Sequence, residues 1–249
     1  MTRIIEAQKI TKIFGQEKNQ TIALNDVSIF ITSNEFVCVM GPSGSGKSTL
    51  LFAVSGMDMI DKGSVSINGV PLYDMDEQKL ADFRRKKMGF VFQNPTMLPS
   101  LDILDNIMLP SYEDYKKDKS KLSQMALKLM KLTGIEGIEN RKITEVSGGQ
   151  LQRASICRAI LHNPDILFGD EPTGALNSKS SEEILDIFEQ LNKKGMTILL
   201  VTHDPKVAAR AGRIIFMKDG ALESELNFEN ENQHTRLDLI NQKMSELGI

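Results

Sequence analysis

Apolar positions change period several times along the chain, and each change marks an element. Residues 4–14 and 22–31 cluster and alternate β-branched side chains around a polar turn at 15–20, predicting a hairpin-like pair of strands. Phe36-Val37-Cys38-Val39-Met40 is an unbroken apolar run, the pattern of a strand buried on both faces. A helix is predicted after it, through Leu50–Val54. Residues 63–69 read as a short strand ending in an Asn-Gly turn, 76–87 as a helix and 89–92 as a second buried strand. From Leu101 to about Ile160 the pattern is helical. There Leu122, Met125, Ala126, Leu129 and Met130 fall on one face of an amphipathic helix. Strand character returns at 166–168 and 196–201, with a helix at 181–192 between them. Apolar strand, helix, apolar strand is a βαβ unit, which implies a parallel sheet covered on both faces. Residues 213–217 and 221–222 bracket Lys218-Asp219-Gly220 as a terminal hairpin, and the tail beyond is polar with a weakly amphipathic end.

Composition narrows the function classes. The 249 residues carry 30 Lys and Arg against 33 Asp and Glu, a formal charge of −3, which excludes a generally basic nucleic-acid coat. With 41% hydrophobic and 25% charged residues the chain has the usage of a globular protein. No stretch approaches the roughly 20 apolar residues that cross a bilayer, and the N-terminus has no signal-peptide core. The expectation is a cytoplasmic protein whose membrane role, if any, comes through a partner. Cys38 and Cys157 are expected as buried, reduced thiols. The basic run 84–87 reads as a solvated helix end, with anionic lipid headgroups as the alternative ligand, and 116–121 as an exposed loop or helix start.

The chemistry begins at Gly41-Pro42-Ser43-Gly44-Ser45-Gly46-Lys47-Ser48-Thr49. Its first eight residues fit G-x-x-x-x-G-K-[ST], and a strand precedes them and a helix follows. Glycines let backbone amides turn inward as an anion nest, and the helix starting near Lys47 adds its positive end. Lys47 can reach the β- and γ-phosphates of ATP, and the Ser48 hydroxyl can ligate Mg²⁺. The plain alternative is a Gly-rich turn with no ligand. Ile166-Leu167-Phe168-Gly169-Asp170-Glu171 then supplies two acids at the end of an apolar strand. Asp170 is suited to holding Mg²⁺ through its water shell and Glu171 to polarising an attacking water.

Between these lies Val146-Ser147-Gly148-Gly149-Gln150-Leu151-Gln152-Arg153, and Ser147–Gln150 opens a helix whose amides offer a second anion site. The Ser147-Gly148-Gly149-Gln150 stretch resembles the signature motif of the ATP-binding-cassette (ABC) ATPases. The resemblance covers about residues 4 to 222. It implies an α/β P-loop NTPase fold: a RecA-like parallel-sheet core with an antiparallel β subdomain, spanning 1–93 and 161–222, plus an inserted helical subdomain at about 94–160. A C-terminal tail, 223–249, follows. It implies a head-to-tail dimer with two ATP·Mg²⁺ sandwiched between P-loop and signature loop, a two-fold arrangement that makes sense of a second phosphate site.

Other family elements follow in order. Gln93 matches the glutamine loop, touching Mg²⁺ or the water. His203, in Val201-Thr202-His203-Asp204, matches the switch histidine. Phe14 matches the adenine-stacking aromatic, where tyrosine is commoner. Asn177, after Gly174-Ala175-Leu176, stands where aspartate is usual in the D-loop, which puts in question how strongly two sites are coupled. The implied partner is an integral-membrane permease docking near 92–101, including Met97 and Leu98; alternatively these residues close the lobe's own core. No nucleic acid is expected as a partner. Within the family the chain is similar to the macrolide-export and lipoprotein-release group, most of all to its bacitracin-efflux, antimicrobial-peptide-resistance branch. The cell-division member of that group, a soluble repair or translation ATPase, a small-molecule P-loop kinase and a nucleotide-gated binding module remain as alternatives.

Overall fold

The computed structural model describes residues 2–15, 19–229 and 231–249, so part of the turn read at 15–20 lies outside the described residues. β1 (Arg3–Phe14) and β2 (Thr21–Thr32) pair antiparallel, with a register shift between Ala7 and Ile10. Lys9 lies in that shift, its backbone left-handed and its N–H donated to Ser28 Oγ at 2.9 Å. After β3 (Phe36–Met40) and α1 (Lys47–Val54), the hairpin of β4 (Lys62–Ile67) and β5 (Val70–Pro71) joins the opposite edge of β1. Its turn residues Asn68 and Gly69 both have positive φ, as a two-residue primed turn requires. The result is a four-stranded antiparallel sheet in the order β2-β1-β4-β5.

The chain continues through α2 (Glu77–Lys87), β6 (Met88–Phe92), α3 (Ile103–Met108), α4 (Lys119–Leu132), α5 (Gly148–Ile160), β7 (Ile166–Asp170), α6 (Ser178–Lys193), β8 (Thr197–Thr202) and α7 (Pro205–Ala208). It closes with β9 (Arg213–Lys218), β10 (Ala221–Asn227) and α8 (Gln233–Leu247). The second sheet has the order β10-β9-β3-β8-β7-β6 and is parallel except for β10.

Strand alternation assigns the core. Val37 and Val39 of β3, with Leu199 and Val201 of β8, face the antiparallel sheet and α1. Cys38, Met40, Ile198 and Leu200 face the other way, onto Ile184 and Phe188 of α6, Val207 of α7 and Ile240 of α8. Both cysteines are buried and unpaired, and burial pushes the Cys157 thiol up to about 12. A third core joins α3, α4 and α5 through Ile103, Ile107, Leu122, Ala126, Met130, Ala154 and Cys157. α5 belongs to two cores at once, since Ile156 and Ile160 pack beneath the parallel sheet.

Several elements differ from the sequence expectation. α6 starts at Ser178, three residues early, because Asn177 Oδ1 accepts the Ser180 N–H at 2.9 Å and caps a Ser-rich first turn that reads as loop. β10 runs to Asn227 rather than Leu222: it is a polar edge strand, recruited by backbone pairing to β9 and by the Glu225–Arg213 ion pair at 2.8 Å. The tail helix α8 packs Leu237, Ile240, Met244 and Leu247 onto the second core. The basic run is no free helix end. Arg84 reaches the Gly56 carbonyl, Arg85 pairs with Asp114 and Asp82, and Lys87 pairs with Asp165. Met97 is buried in the third core, whereas Leu98 stays 47% exposed.

Candidate functional site

Strand register brings the motif residues to one edge. Met40 of β3 pairs with Thr202 of β8, Asp170 of β7 with Val201, and Phe92 of β6 with Asp170. The residues that follow each strand end, Gly41, Gln93, Glu171 and His203, therefore emerge side by side at the carboxyl edge of the parallel sheet. Open α/β sheets bind ligands at this edge.

The loop from β3 to α1 tolerates no side chain at two of its glycines. A Cβ at Gly41 would stand 2.1 Å from the Met217 carbonyl oxygen, and one at Gly46, whose φ is 98°, 2.4 Å from that of Ala23. α1 begins at Gly46 with no side-chain cap, so its first amides stay open to an anion. Ser45 Oγ is buried and finds no partner among the described residues. An open nest, an uncapped helix and an orphan hydroxyl fit a polyphosphate. Lys47 is only 6% exposed and donates to the Pro42 carbonyl at 2.7 Å. Burial holds its ammonium below the ordinary range, against the pull of Glu171 and Asp170.

Ser48 Oγ donates to Asp170 Oδ1 at 2.8 Å. Burial raises the Asp170 carboxyl above the usual carboxylate range, Glu171 adds to the rise, and the Ser48 hydrogen bond and Lys47 oppose it. Glu171 takes the left-handed backbone, φ 46°, a conformation stored at few non-glycine positions and common at functional sites. Its N–H donates to the Val201 carbonyl at 3.0 Å, and its Oε1 lies at hydrogen-bond distance, 2.8 Å, from His203 Nδ1. Gln93 packs against Gly174, where a Cβ would meet its Nε2 at 2.8 Å. One cavity of about 520 Å³ is lined by Pro42, Ser43, Ser48, Gln93, Asp170, Glu171 and His203. A hydroxyl, a carboxylate and an amide around an open space suit Mg²⁺, which binds few protein oxygens and keeps waters and phosphates as its other ligands. The described residues form no cluster of three or more His, Cys, Asp or Glu that would make an all-protein metal cage.

Two expected parts stand outside this cavity. Phe14 lies at the end of β1, 45% exposed, with Lys12 Nζ 5.0 Å from its ring centroid on one face. Ser147–Gln150 form a reciprocal capping box on α5: Gln150 N donates to Ser147 Oγ at 3.3 Å, and Ser147 N to Gln150 Oε1 at 2.9 Å. Gly149 presses on the first turn of α6, its notional Cβ 2.8 Å from Ser180 Oγ. Asn177 spends its side chain as the α6 cap. One polar residue went unassigned from sequence. Gln152 is buried, with Nε2 bonded to the carbonyls of Phe92 and Pro172. The signal was a glutamine in the apolar stripe of α5, in line with Ile156 and Ile160.

A family model described as "ABC transporter" matches residues 24–174. The chain is 41% identical over 249 residues to the bacitracin export ATP-binding protein of Halalkalibacterium halodurans, covering 98% of this chain and 97% of that one. It is 41% identical over 219 residues to a macrolide export ATP-binding/permease protein of Mannheimia succiniciproducens, covering 88% of this chain and 34% of that longer one. A dimeric ATP-binding cassette in a post-hydrolysis state, bound to ADP and Pi, superposes with a TM-score of 0.84 at 38% identity, covering 91% of this chain and 100% of that chain.

Proposed function

The chain belongs to the ABC transporter ATP-binding family and is a transport ATPase, and from that premise we propose how its residues work and what they serve. The observation that carries the reading is the cavity joining Ser48, Gln93, Asp170, Glu171 and His203. The Gly41–Thr49 loop and Lys47 hold the phosphates, and Phe14 offers its free ring face to the adenine. Ser48, Gln93 and, through water, Asp170 would hold Mg²⁺, which would supply charge neutralisation at the phosphates. Glu171 accepts the proton of the water whose oxygen bonds to the γ-phosphorus as the bond to ADP breaks. His203 orients that carboxylate through Nδ1.

Ser147–Gln150 lies outside the cavity, and its α5 N-terminus completes a site only against ATP held by a second copy. Two copies closing head-to-tail around two ATP make this engagement twice. The macrolide export relative carries permease and ATPase in one chain, while this chain spans only a third of it. No helix among the described residues is long and apolar enough to cross a membrane. By similarity to the bacitracin export ATP-binding protein, matched over 97% of its length, the permease is a separate integral-membrane protein, and the ATPase works at the cytoplasmic face of the membrane, bound to it through that partner. By similarity to the bacitracin export protein, the cargo or target is an antimicrobial peptide of the bacitracin type.

Glu171→Gln tests the base. Phosphate release should fall by about 100- to 10,000-fold while nucleotide affinity is kept and an ATP-dependent dimer accumulates. Turnover near the parent rate would remove Glu171 from the role. The same variant, tagged and extracted from membranes in mild detergent with ATP and Mg²⁺, should bring down a multi-span permease with a large extracytoplasmic domain. A small four-span partner would shift the assignment to cell division, and ribosomes or DNA would overturn the transporter reading.

A further inference from the structure

α5 begins at the signature capping box and carries Gln152 two residues beyond it, in the first turns of one rigid helix. Gln152 is 1% exposed. Its Nε2 donates to the Phe92 carbonyl at 2.9 Å and to the Pro172 carbonyl at 2.7 Å. Phe92 is the residue before Gln93, and Pro172 the residue after Glu171. Both partners are carbonyls, which only accept, so the amide nitrogen must occupy this end of the side chain. The other end is left wanting: Oε1 is buried and finds no partner among the described residues. An apolar side chain of equal length would spare the orphaned acceptor but take this donor away from both carbonyls. A buried group kept in that state calls for a reason other than packing.

The two peptides so held sit at the carboxyl ends of neighbouring parallel strands: Phe92 closes β6 and pairs with Asp170, which closes β7 two residues before Pro172. Arg158, further along α5, donates to the Thr96 carbonyl at 2.6 Å and holds the far side of the loop that starts at Gln93. Glu171 stands in a left-handed backbone that depends on its neighbours for its shape, so a change at Pro172 is felt at the carboxylate.

We propose that Gln152 is a positioning residue that couples the signature loop to the hydrolytic cavity. A phosphate engaged by Ser147–Gln150 loads α5, and the Gln152 amide passes that load to the peptides that place Gln93 and Glu171. The proposal rests on the roles given above to those two residues. It makes hydrolysis conditional on occupation of the signature loop in the same chain that carries the base, in addition to the site the loop completes across a dimer.

The test uses the full chain and Gln152→Met, which keeps length and removes both donors and the orphaned oxygen. Expected are a nucleotide affinity and a KM for ATP within about twofold of the parent, and a kcat lower by about 10- to 100-fold. The Mg²⁺ concentration for half-maximal turnover should rise several-fold, because Gln93 is displaced. In a Glu171→Gln background the same substitution should lower the residual rate little further, since it acts through Glu171. An equal fold-loss in both backgrounds, or a lowered Tm with unchanged kcat, would reduce Gln152 to a brace and overturn the proposal. Gln152→Glu, which keeps the shape and sets a carboxylate against two carbonyls, gives the same readouts if the Met variant folds poorly; full turnover in it would also overturn the proposal. Parent-like turnover of Glu171→Gln alone would instead overturn the base assignment, a separate failure.

Discussion

The strand-end cluster and the Ser147–Gln150 loop, the two anion sites proposed above, are finished to different degrees. The cluster is assembled inside one chain. Ser48 already bonds Asp170, His203 already stands at hydrogen-bond distance from Glu171, and one cavity collects them with Gln93. It is also uncomfortable: Lys47 and Asp170 are both shifted toward neutrality by burial, and Glu171 sits in a left-handed backbone. The signature loop is relaxed. Ser147 and Gln150 satisfy each other in a capping box, and neither lines the cavity. Shifted charges gather at the strand-end cluster, whereas the α5 cap is satisfied within its own chain; on the roles proposed above, the first is the hydrolytic half and the second the half that waits for a second copy.

The sharpest way to break that comparison is to spoil each half in a different chain. Gly148 has room for a side chain, its notional Cβ 3.6 Å from Leu176, and an acid in the first turn of α5 suits the helix dipole. Gly148→Asp should therefore fold and bind ATP at its own P-loop. It should repel the phosphate held by a second copy and lower phosphate release by about 100-fold or more. Mixed in equal amounts with Glu171→Gln chains, it should recover less than a quarter of the parent activity, because the chain that carries the base in each complete site has a spoiled signature loop of its own. Half of randomly formed pairs are mixed, and each mixed pair holds one complete site of two. Parent-like phosphate release by Gly148→Asp alone would count against a site shared between chains, and recovery of the full quarter in the mixture would overturn the coupling through Gln152.

How much of this was legible in the sequence follows from how local each requirement is. Phosphate and metal chemistry demand particular residue types within short stretches, so Gly41–Thr49, Asp170-Glu171 and Ser147–Gln150 could be named as candidates before any fold was known. Elements that depend on distant partners could not. The basic run at 84–87 looked solvated because Gly56, Asp114 and Asp165, which take three of its charges, lie far away in sequence. β10 outran its expected end because an edge strand needs only backbone pairing, and its Glu223-Ser224-Glu225 run shows no apolar alternation. Gln152 escaped because one glutamine in an apolar stripe carries no motif; only its two carbonyl partners give it meaning.

A smaller effect tests the relaxed half. Ser147→Ala removes the oxygen that accepts the Gln150 N–H and leaves the first turn of α5 uncapped. Loss of such a cap costs about 1 kcal/mol, which in a chain of this size lowers Tm by about 2–4 °C in thermal unfolding. An unchanged Tm would mean that the loop is not a structural cap in solution, and the contrast with the cluster would weaken.

The smallest effect has the opposite sign and tests the strained half. The Asp170 carboxyl is held above its ordinary value, first by burial and also by Glu171. A carboxyl raised in the folded state binds its proton more tightly there than in the unfolded chain. Between the ordinary value of 3.8 and the raised one the folded chain holds more protons, so stability falls as pH rises through that window and the deficit is complete above it. At neutral pH the ionised Asp170 is thus a net burden on the nucleotide-free chain. Asp170→Asn keeps an oxygen for Ser48 Oγ and removes the charge. Its Tm at pH 7 should exceed the parent's by about 1–2 °C, and the difference should shrink as pH falls toward 4 and the parent's carboxyl takes up its proton. A lower Tm at pH 7 would show that the Ser48–Asp170 pair stabilises the free chain, and the cluster would then be as structural as the cap.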